Sequence, residues 1–331
     1  MSFTALVLST GTVLPVDHSQ NWLQQLPQNL VNGLEQGSVY ALVALGYTLV
    51  YGVLQLINFA HSEVFMFGGF GSWLAVNGLI GTRHLTGIMV PLTVIIGALT
   101  GALSGAAIAW LLEKVAYKTL RTRGAPKLAF LISAIGASLF LSNLAGKLFN
   151  HVSSNASPLY FYVDKNFFNL GSAKVSVLTF LIVVVAIVMM IFLDVLVNRT
   201  KLGRSVRAVS EDAPTAALMG IDIDKTISRT FVIGGALAGI AGFMFGTAFG
   251  VGYLMGFTPG VKAFAAAVLG GIGNIRGAMI GGLLLGEAET LIPAIHGVGT
   301  QWTDVVSFLV LVLVLLFRPT GILGERLGRA A

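Results

Sequence analysis

The chain has 331 residues, of which 55% are hydrophobic and only 10% are charged, and its mean hydropathy is +0.86. A soluble globular domain carries about 25% charged residues, so the composition excludes a soluble monomer and indicates a polytopic membrane protein. Because the chain has no cysteine, disulfides, iron–sulfur clusters and thiolate zinc sites are excluded as well.

Residues 1–25 are predicted to be an N-terminal extension, because their apolar run is too short to span a bilayer and lacks the basic flank of a signal peptide. The transmembrane domain is predicted over 26–324, followed by a tail over 325–331. Within the domain about eight or nine apolar segments can be counted, some of them short enough to be half-spans, at 30–57, 64–79, 87–117, 128–149, 175–197, 230–253, 256–273, 278–295 and 305–317.

A polar hexapeptide, 58–63, separates the first two segments. It is either a tight turn at the membrane surface or a break at membrane depth, which is permitted only where protein or water surrounds it. Asn58, His61 and Glu63 are therefore candidates for the translocation path or a gate. The alternative is that they hydrogen-bond and cap the break, since unsatisfied buried polar groups are unfavourable. His61 is not expected to bind a metal, because no second His stands at ligand spacing.

Glycine spacing supports two further predictions. Gly97, Gly101 and Gly105 recur every four residues, which is typical of a helix-packing face. Residues 57–69 and 260–271 share a design of a break, a short apolar helix and a glycine pair, and such duplication points towards a central substrate path. The paired glycines are therefore path candidates, with close packing as the alternative for the second pair: Gly68, Gly69, Gly270 and Gly271.

Residues 199–229, here called the polar loop, hold ten of the chain's 34 charged side chains between long apolar runs. Four residues recur every four positions along one helical face, namely Ala208, Asp212, Ala216 and Gly220. Ser210 or Asp212 can serve as the N-cap, Pro214 is tolerated in the first turn, and Gly220 suits a left-handed C-cap. This pattern predicts a single short, solvated helix over 210–220.

The basic residues predict the orientation in the membrane. Fourteen of the twenty Lys and Arg residues lie in 114–127, in the polar loop and in the tail from Arg318 onwards. By the positive-inside rule these three regions face the cytoplasm. The N-terminus and residues 150–174 are then outside.

The sequence has no phosphate-binding loop, so any ATP hydrolysis must reside in another subunit, and the chain is not expected to be an enzyme. Carboxylates within or near the spans are few, namely Glu63, Asp194, Glu287 and Glu289. Ion-coupled transporters usually carry chains of buried charge, so a secondary transporter is the less favoured class. An interface position is expected for Glu287 and Glu289, with a role in substrate passage as the alternative.

Four long stretches carry a family resemblance: residues 37–69, the pattern Gly203-Arg204…Arg207-Ala208…Asp212…Ala216…Gly220-Ile221, residues 262–289 and residues 304–324. Together they resemble the inner-membrane permease subunits of branched-chain amino acid ABC importers, the LivH/LivM type, and LivH more closely. The resemblance extends over about 26–324, nearly the whole chain.

The resemblance implies an all-α, multi-pass permease of the bacterial cytoplasmic membrane, surrounded by lipid and not binding nucleic acid. Implied partners are a second, LivM-type permease, two ATP-binding subunits that carry the only nucleotide, and an external binding protein. The polar loop would supply a coupling helix that docks on an ATPase subunit, through Arg204, Arg207, Ser210, Glu211, Asp212, Ala213, Ala216 and Gly220. Leucine, isoleucine, valine or other neutral amino acids are the implied substrates. Urea or short amides are the alternative, because urea permeases share several of these motifs.

Overall fold

The structure, a computed structural model, describes residues 22–80, 89–149, 166–170, 172–295, 299–318 and 320–324. Its α-helices, in chain order, are α1 (Trp22–Leu54), α2 (His61–Ile80), α3 (Met89–Leu112), α4 (Lys118–Thr122), α5 (Lys127–Leu148), α6 (Val177–Arg199), α7 (Lys201–Glu211), α8 (Ala213–Leu218), α9 (Ile223–Phe249), α10 (Phe257–Gly270), α11 (Ile275–Leu291) and α12 (Thr303–Phe317). A π-helix (Glu113–Tyr117) joins α3 to α4, and a 3₁₀ turn (Thr300–Trp302) precedes α12. The predicted extension 1–25, but for its last four residues, and the tail 325–331 lie outside the described residues.

The helical membrane fold is confirmed, and each of the nine predicted apolar segments corresponds to a helix. The all-helical prediction has an exception just before α6, where β1 (Asn166–Leu170) pairs antiparallel with β2 (Ala173–Ser176). Burial alternates along the second strand, with Ala173 and Val175 buried and Lys174 exposed between them, as a half-buried strand requires.

Among the described residues, five helical stretches are long and apolar enough to cross a membrane: Gln25–Leu54, Val90–Thr122, Lys127–Leu148, Val177–Arg199 and Ile223–Phe249. Two of them form the centre of the protein, since 83% of the most apolar part of α1 and 67% of that of α9 is buried, against 22% for α5 and α6. α1 packs on α11, α9 and α10, and α9 packs on α3 and α2. The outer helices α5 and α6 therefore present their apolar side chains outwards, where lipid or another subunit can cover them.

The glycine face of α3 packs on α9, as the spacing predicted. A Cβ on Gly101 would lie 2.7 Å from the carbonyl oxygen of Gly239, and one on Gly105 would lie 2.2 Å from that of Gly235. Gly97 lies against the ring of Phe243. The missing side chains thus let the two backbones touch, which is how helices associate closely in lipid.

The second half is organised around short helices. α10 ends at Gly270, Gly271 has a φ of +108°, and α11 starts after a tight turn. The chain end folds back on this turn, because Ile322 and Leu323 donate backbone hydrogen bonds to the carbonyls of Leu269 and Gly270. The shared design predicted for 57–69 and 260–271 is not found in the structure. Gly68 and Gly69 lie inside α2, whereas Gly270 ends α10 and Gly271 follows it.

The single helix predicted over 210–220 is wrong in its bounds, since the polar loop contains two helices. α7 runs to Glu211, Asp212 is extended with φ −151° and ψ 101°, and α8 occupies only Ala213–Leu218. Pro214 is the physical reason, because it has no N–H to donate to the carbonyl of Ser210 and so interrupts the helical hydrogen bonds. The predicted C-terminal signal is present, since Gly220 has a φ of +83°.

Candidate functional site

Residues 55–60, here called the break, connect α1 to α2 and are held by local hydrogen bonds. The backbone of Gln55 has a φ of +51°, and it is the one non-glycine with positive φ among the described residues. The side-chain oxygen of Asn58 accepts from the N–H of Ala60 at 3.1 Å, while its backbone oxygen accepts from the N–H of His61 at 3.1 Å. Asn58 therefore organises the start of α2, as the capping alternative expected.

Asn58 also joins the break to the π-helix. The hydroxyl of Tyr117 donates to the side-chain oxygen of Asn58 at 2.8 Å, and the two residues are only 1% and 3% exposed. Tyr117 ends the π-helix, in which the N–H of Lys118 reaches the carbonyl of Glu113 five residues back. Such turns are rare and occur frequently at functional sites.

His61 is buried at the start of α2, and its Nε2 has no hydrogen-bond partner in the part of the chain that the structure describes. Its ring meets the ring of Tyr47 edge-on, with centroids 4.6 Å apart. A Cβ on Gly46 would lie 2.4 Å from His61 Nε2, so α1 approaches the imidazole closely because this position is a glycine.

Glu63 is 2% exposed and joins α2 to α5. Its carboxylate accepts from the hydroxyl of Ser138 at 3.0 Å and from that of Ser62 at 3.4 Å. Within the described parts of the chain, no Lys or Arg forms a salt bridge with it. A buried carboxylate held by two hydroxyls is an unusual polar point in an apolar protein, which keeps Glu63 a candidate for the translocation path or a gate.

A small open cleft lies beside the break. One wall belongs to α1 and the break, and the other belongs to α10 and the turn after it; the lining residues are Tyr47, Thr48, Tyr51, Leu56, Ile57, Asn58, Phe264, Ala267 and Ile272. The hydroxyl of Thr48 is buried and has no hydrogen-bond partner among the described residues. The cleft thus combines aromatic and aliphatic walls with the hydroxyls of Tyr47, Thr48 and Tyr51 and the amide of Asn58.

The glycine candidates lie at helix contacts and do not line this cleft. A Cβ on Gly68 would lie 2.3 Å from Gly239 Cα, and one on Gly270 would lie 1.9 Å from the carbonyl oxygen of Gly277. Gly69 faces Met255 and Gly271 faces the chain end near Gly324. These contacts support packing as their main task.

α7 is fixed to the end of α6. Arg207 donates to the carbonyl of Val197 at 2.7 Å and to the side chain of Asn198 at 3.1 Å. A Cβ on Gly203 would lie 1.9 Å from that same carbonyl of Val197. Arg204 and Glu211 are exposed, as is Arg207 itself. The first part of the polar loop is thus a rigid continuation of a membrane helix.

Ser210 is not an N-cap, because it lies in the last turn of α7 and its hydroxyl donates to the carbonyl of Arg207 at 2.7 Å. Its own carbonyl, which Pro214 cannot bond, accepts from Gln55 Nε2 at 2.9 Å. A side chain of the break therefore replaces the hydrogen bond that proline removes from the polar loop.

α8 presents a different surface from the predicted one. Ala216 is 4% exposed and packs inwards, so it is not available to enter a groove, whereas Leu218 and Met219 are 88% and 80% exposed. Asp212 is the N-cap residue of α8, the second of the two predicted N-cap positions, and its carboxylate accepts from the hydroxyl of Thr215. The tip of the polar loop is thus apolar and uncovered.

The start of α9 is capped and clamped. The side chain of Asp222 accepts from the N–H of Lys225 at 2.9 Å, and this hydrogen bond lowers the pKa of Asp222. Arg121 donates to Asp224 at 2.7 and 3.1 Å and to Glu113 at 3.1 Å. The π-helix region and the first turn of α9 are thereby joined by one guanidinium group.

A second polar cluster joins α1, α10, α11 and α12, and its members Lys262 and Glu289 are buried whereas Asp304 is exposed. Lys262 of α10 pairs with Glu289 of α11 at 3.0 Å and with Asp304 of α12 at 2.7 Å. Tyr40 donates to Glu289 at 2.9 Å, as does Gln36, which is also on α1. The expected interface position of Glu289 is wrong, because this residue is only 3% exposed.

Sequence reasoning missed Gln55, Tyr117, Arg121 and Lys262. A lone lysine inside an apolar segment is a signal for a buried ion pair, and a proline after α7 signals a free carbonyl four residues earlier. Neither Tyr117 nor Arg121 carries such a signal, because their partners are distant in sequence.

Comparison with known proteins gives concordant results. The family model described as "Branched-chain amino acid transport system / permease component" matches residues 29–315. The chain is 44% identical over 303 residues to the high-affinity branched-chain amino acid transport system permease protein BraD of Pseudomonas aeruginosa, covering 90% of this chain and 95% of that protein. It is 43% identical over 305 residues to LivH of Escherichia coli, a permease protein of the same description, with the same coverage. A solved ABC transporter of metal-chelate type matches at 18% identity and a TM-score of 0.44, covering 94% of this chain and 95% of that one; this likeness is too distant to inform the site.

Proposed function

Because the chain belongs to the family of branched-chain amino acid transport system permease components, as the match over residues 29–315 shows, we propose that it forms part of the membrane path of an ATP-driven importer of branched-chain or other neutral amino acids. The family match is the observation that carries this proposal. The high identity to BraD and LivH over nearly their whole lengths supports the substrate class.

The cleft beside the break supports the position of the path. Its walls combine Tyr47, Tyr51 and Phe264 with the unpaired hydroxyl of Thr48. The cargo is inferred from the relatives: BraD and LivH are branched-chain amino acid transport system permease proteins, so leucine, isoleucine and valine are favoured over urea.

The polar loop is the proposed coupling segment. α8 is short and firmly bounded, by Pro214 at its start and by the left-handed Gly220 after its end. Leu218 and Met219 are the exposed apolar residues that would enter a groove of an ATP-binding subunit. The other predicted coupling residues, from Arg204 to Ala213, would support or flank this tip.

The proposed assembly contains a second, LivM-type permease, two ATP-binding subunits and an external binding protein, in the bacterial cytoplasmic membrane. ATP would be bound by those partner subunits only, and the C-terminus of this chain would face the cytoplasm. The exposed apolar faces of α5 and α6 support contact with lipid or with the second permease.

The decisive experiment reconstitutes the two permeases and the two ATP-binding subunits in vesicles, adds the external binding protein and measures uptake of labelled leucine and urea. The expected result is leucine uptake that requires ATP and the binding protein and persists when a protonophore removes the ion gradient. Uptake that collapses with the protonophore at constant ATP would identify an ion-coupled transporter instead. Binding and uptake of urea without leucine would establish the short-amide alternative.

A further inference from the structure

Two hydrogen bonds hold the break from the side of the polar loop. Gln55 Nε2 donates to the carbonyl of Ser210 at 2.9 Å, and the Tyr117 hydroxyl donates to Asn58 at 2.8 Å. Gln55 and Ser210 are 155 positions apart, and Asn58 and Tyr117 are 59 positions apart. Neither hydrogen bond therefore belongs to the internal bonding of a helix. Their common result is to fix both ends of a segment that lines the cleft.

Each of these bonds leads back to one end of α8. Ser210 lies on α7, three residues before α8 begins. Tyr117 lies on the π-helix, which Arg121 clamps to Asp224 in the first turn of α9, the helix that follows α8. A displacement of α8 therefore reaches the break by two routes, one from each side.

The space between these routes is filled by close packing. Ala216 of α8, Val206 of α7, Phe231 of α9 and Tyr117 belong to one buried apolar cluster, against which Leu56 of the break also packs. Closely packed interiors transmit displacement instead of absorbing it. The π-helix adds an element that can change register, because a π-turn and an α-turn differ in which carbonyl each N–H reaches.

We propose that Gln55 and Tyr117 are positioning residues for transport, which pass a displacement of α8 to the break and thereby set the opening of the adjoining cleft. The inference rests on the proposed transport function and adds to it the two side chains through which nucleotide-driven movement reaches the path. Gln55 does this through its amide and Tyr117 through its hydroxyl.

The test uses the reconstituted complex and measures the number of leucine molecules imported per ATP hydrolysed. The amount of assembled complex is measured separately for each variant. Tyr117→Phe removes only the hydroxyl and keeps the ring against Phe231, whose centroid is 5.2 Å away. Gln55→Asn keeps the amide and tolerates the left-handed backbone but is one methylene too short for Ser210. Each change is expected to lower the ratio about fivefold, because a hydrogen bond contributes about 1 kcal/mol and 1.4 kcal/mol is tenfold.

Matched controls make the same chemical changes away from the break. Tyr253→Phe and Gln301→Asn alter exposed residues and should leave the ratio unchanged. A merely structural role would lower the amount of assembled complex but not the ratio per complex. An unchanged ratio in both Tyr117→Phe and Gln55→Asn overturns the proposal.

A double-mutant cycle isolates the Tyr117 arm. If the hydroxyl acts through Asn58, adding Tyr117→Phe to Asn58→Ala should not lower the ratio further, whereas fully additive losses would show that it acts elsewhere. The wild-type complex separates this inference from the proposed function. If wild type itself imports no amino acid with ATP, the function is wrong; if it does and the variants match it, only the positioning role is wrong.

Discussion

At the scale of single residues, the absence of a side chain is decisive where α3 crosses α9. A Cβ on Gly239 would lie 1.9 Å from the carbonyl oxygen of Gly101. The atoms nearest to that Cβ belong to the backbone of Gly101 and Ala102, so they cannot rotate aside. Gly239→Ala is therefore expected to lower stability by about 1–3 kcal/mol. The melting temperature of the purified protein in detergent measures this.

Gly78→Ala is the matched control, because a Cβ at that position meets nothing within 4 Å. Replacing an exposed helical glycine by alanine should leave stability unchanged or raise it slightly. If Gly239→Ala and Gly78→Ala have the same melting temperature, close backbone contact between α3 and α9 does not stabilise the packing of these helices.

The cap at Asp222 gives a residue-scale prediction about pH. Its hydrogen bond to the N–H of Lys225 lowers the pKa below the ordinary 3.8. A lowered pKa in the folded state means that the carboxylate contributes stability above its unfolded pKa and loses it as pH falls through the folded pKa. The stability difference between wild type and Asp222→Ala should therefore be constant from pH 8 to about pH 5 and shrink below about pH 4.

Asp222→Asn provides the control, since asparagine caps about as well but does not titrate. Thermal melts of the three proteins across this pH range decide the matter. If the stability difference between wild type and Asp222→Ala changes between pH 6 and 8, another titrating group is responsible.

At the scale of elements, α8 joins a buried face to an exposed apolar tip. Burial of a leucine side chain contributes about 1.5–3 kcal/mol, so Leu218→Asp should weaken association with the ATP-binding subunits at least about tenfold. The measurement is the titration of purified ATP-binding subunits onto the permease pair. Leu218→Met retains an apolar tip and should bind as wild type does.

If Leu218→Asp binds and supports ATP-driven uptake normally, the tip does not enter a groove. The polar loop would then act through its charged residues Arg204 and Glu211, which are exposed on α7. The same titration with those two residues replaced by alanine would distinguish the two surfaces.

At the scale of the whole molecule, one ion cluster joins four helices. The buried Lys262 pairs with Glu289 and Asp304, and Glu289 in turn accepts a hydrogen bond from the hydroxyl of Tyr40 on α1. Removing the cation leaves a buried carboxylate unpaired, so Lys262→Met is expected to destabilise by about 3–5 kcal/mol. Melting in detergent and the yield of folded protein measure this.

Lys225→Met is the control, because Lys225 forms a solvent-exposed pair with Asp222, and such pairs contribute little to stability. Adding Glu289→Gln to Lys262→Met should recover part of the loss by removing the stranded charge. No recovery would show that the lysine acts through packing of its alkyl chain and not through the ion pair.

The membrane class, the nine apolar segments, the glycine face of α3 and the family could all be predicted from the sequence. Each of these depends on local composition: apolar runs partition into a bilayer wherever they occur, and residues four apart share a helical face in any context. The break after α1 and the left-handed Gly220 were likewise visible, because polar runs and glycines leave their mark within a few residues.

Which helices form the centre of the protein, and which side chains meet, depend on tertiary packing. Ala216 was expected to be exposed, but it turns inwards because α7, α9 and the π-helix surround it. Gln55 reaches Ser210 across 155 positions, Tyr117 reaches Asn58 across 59, and Gln36 reaches Glu289 across 253. Such pairs have no signature in a single sequence, because a polar residue has the same local pattern whether its partner is water or a side chain brought to it by the packing of distant helices.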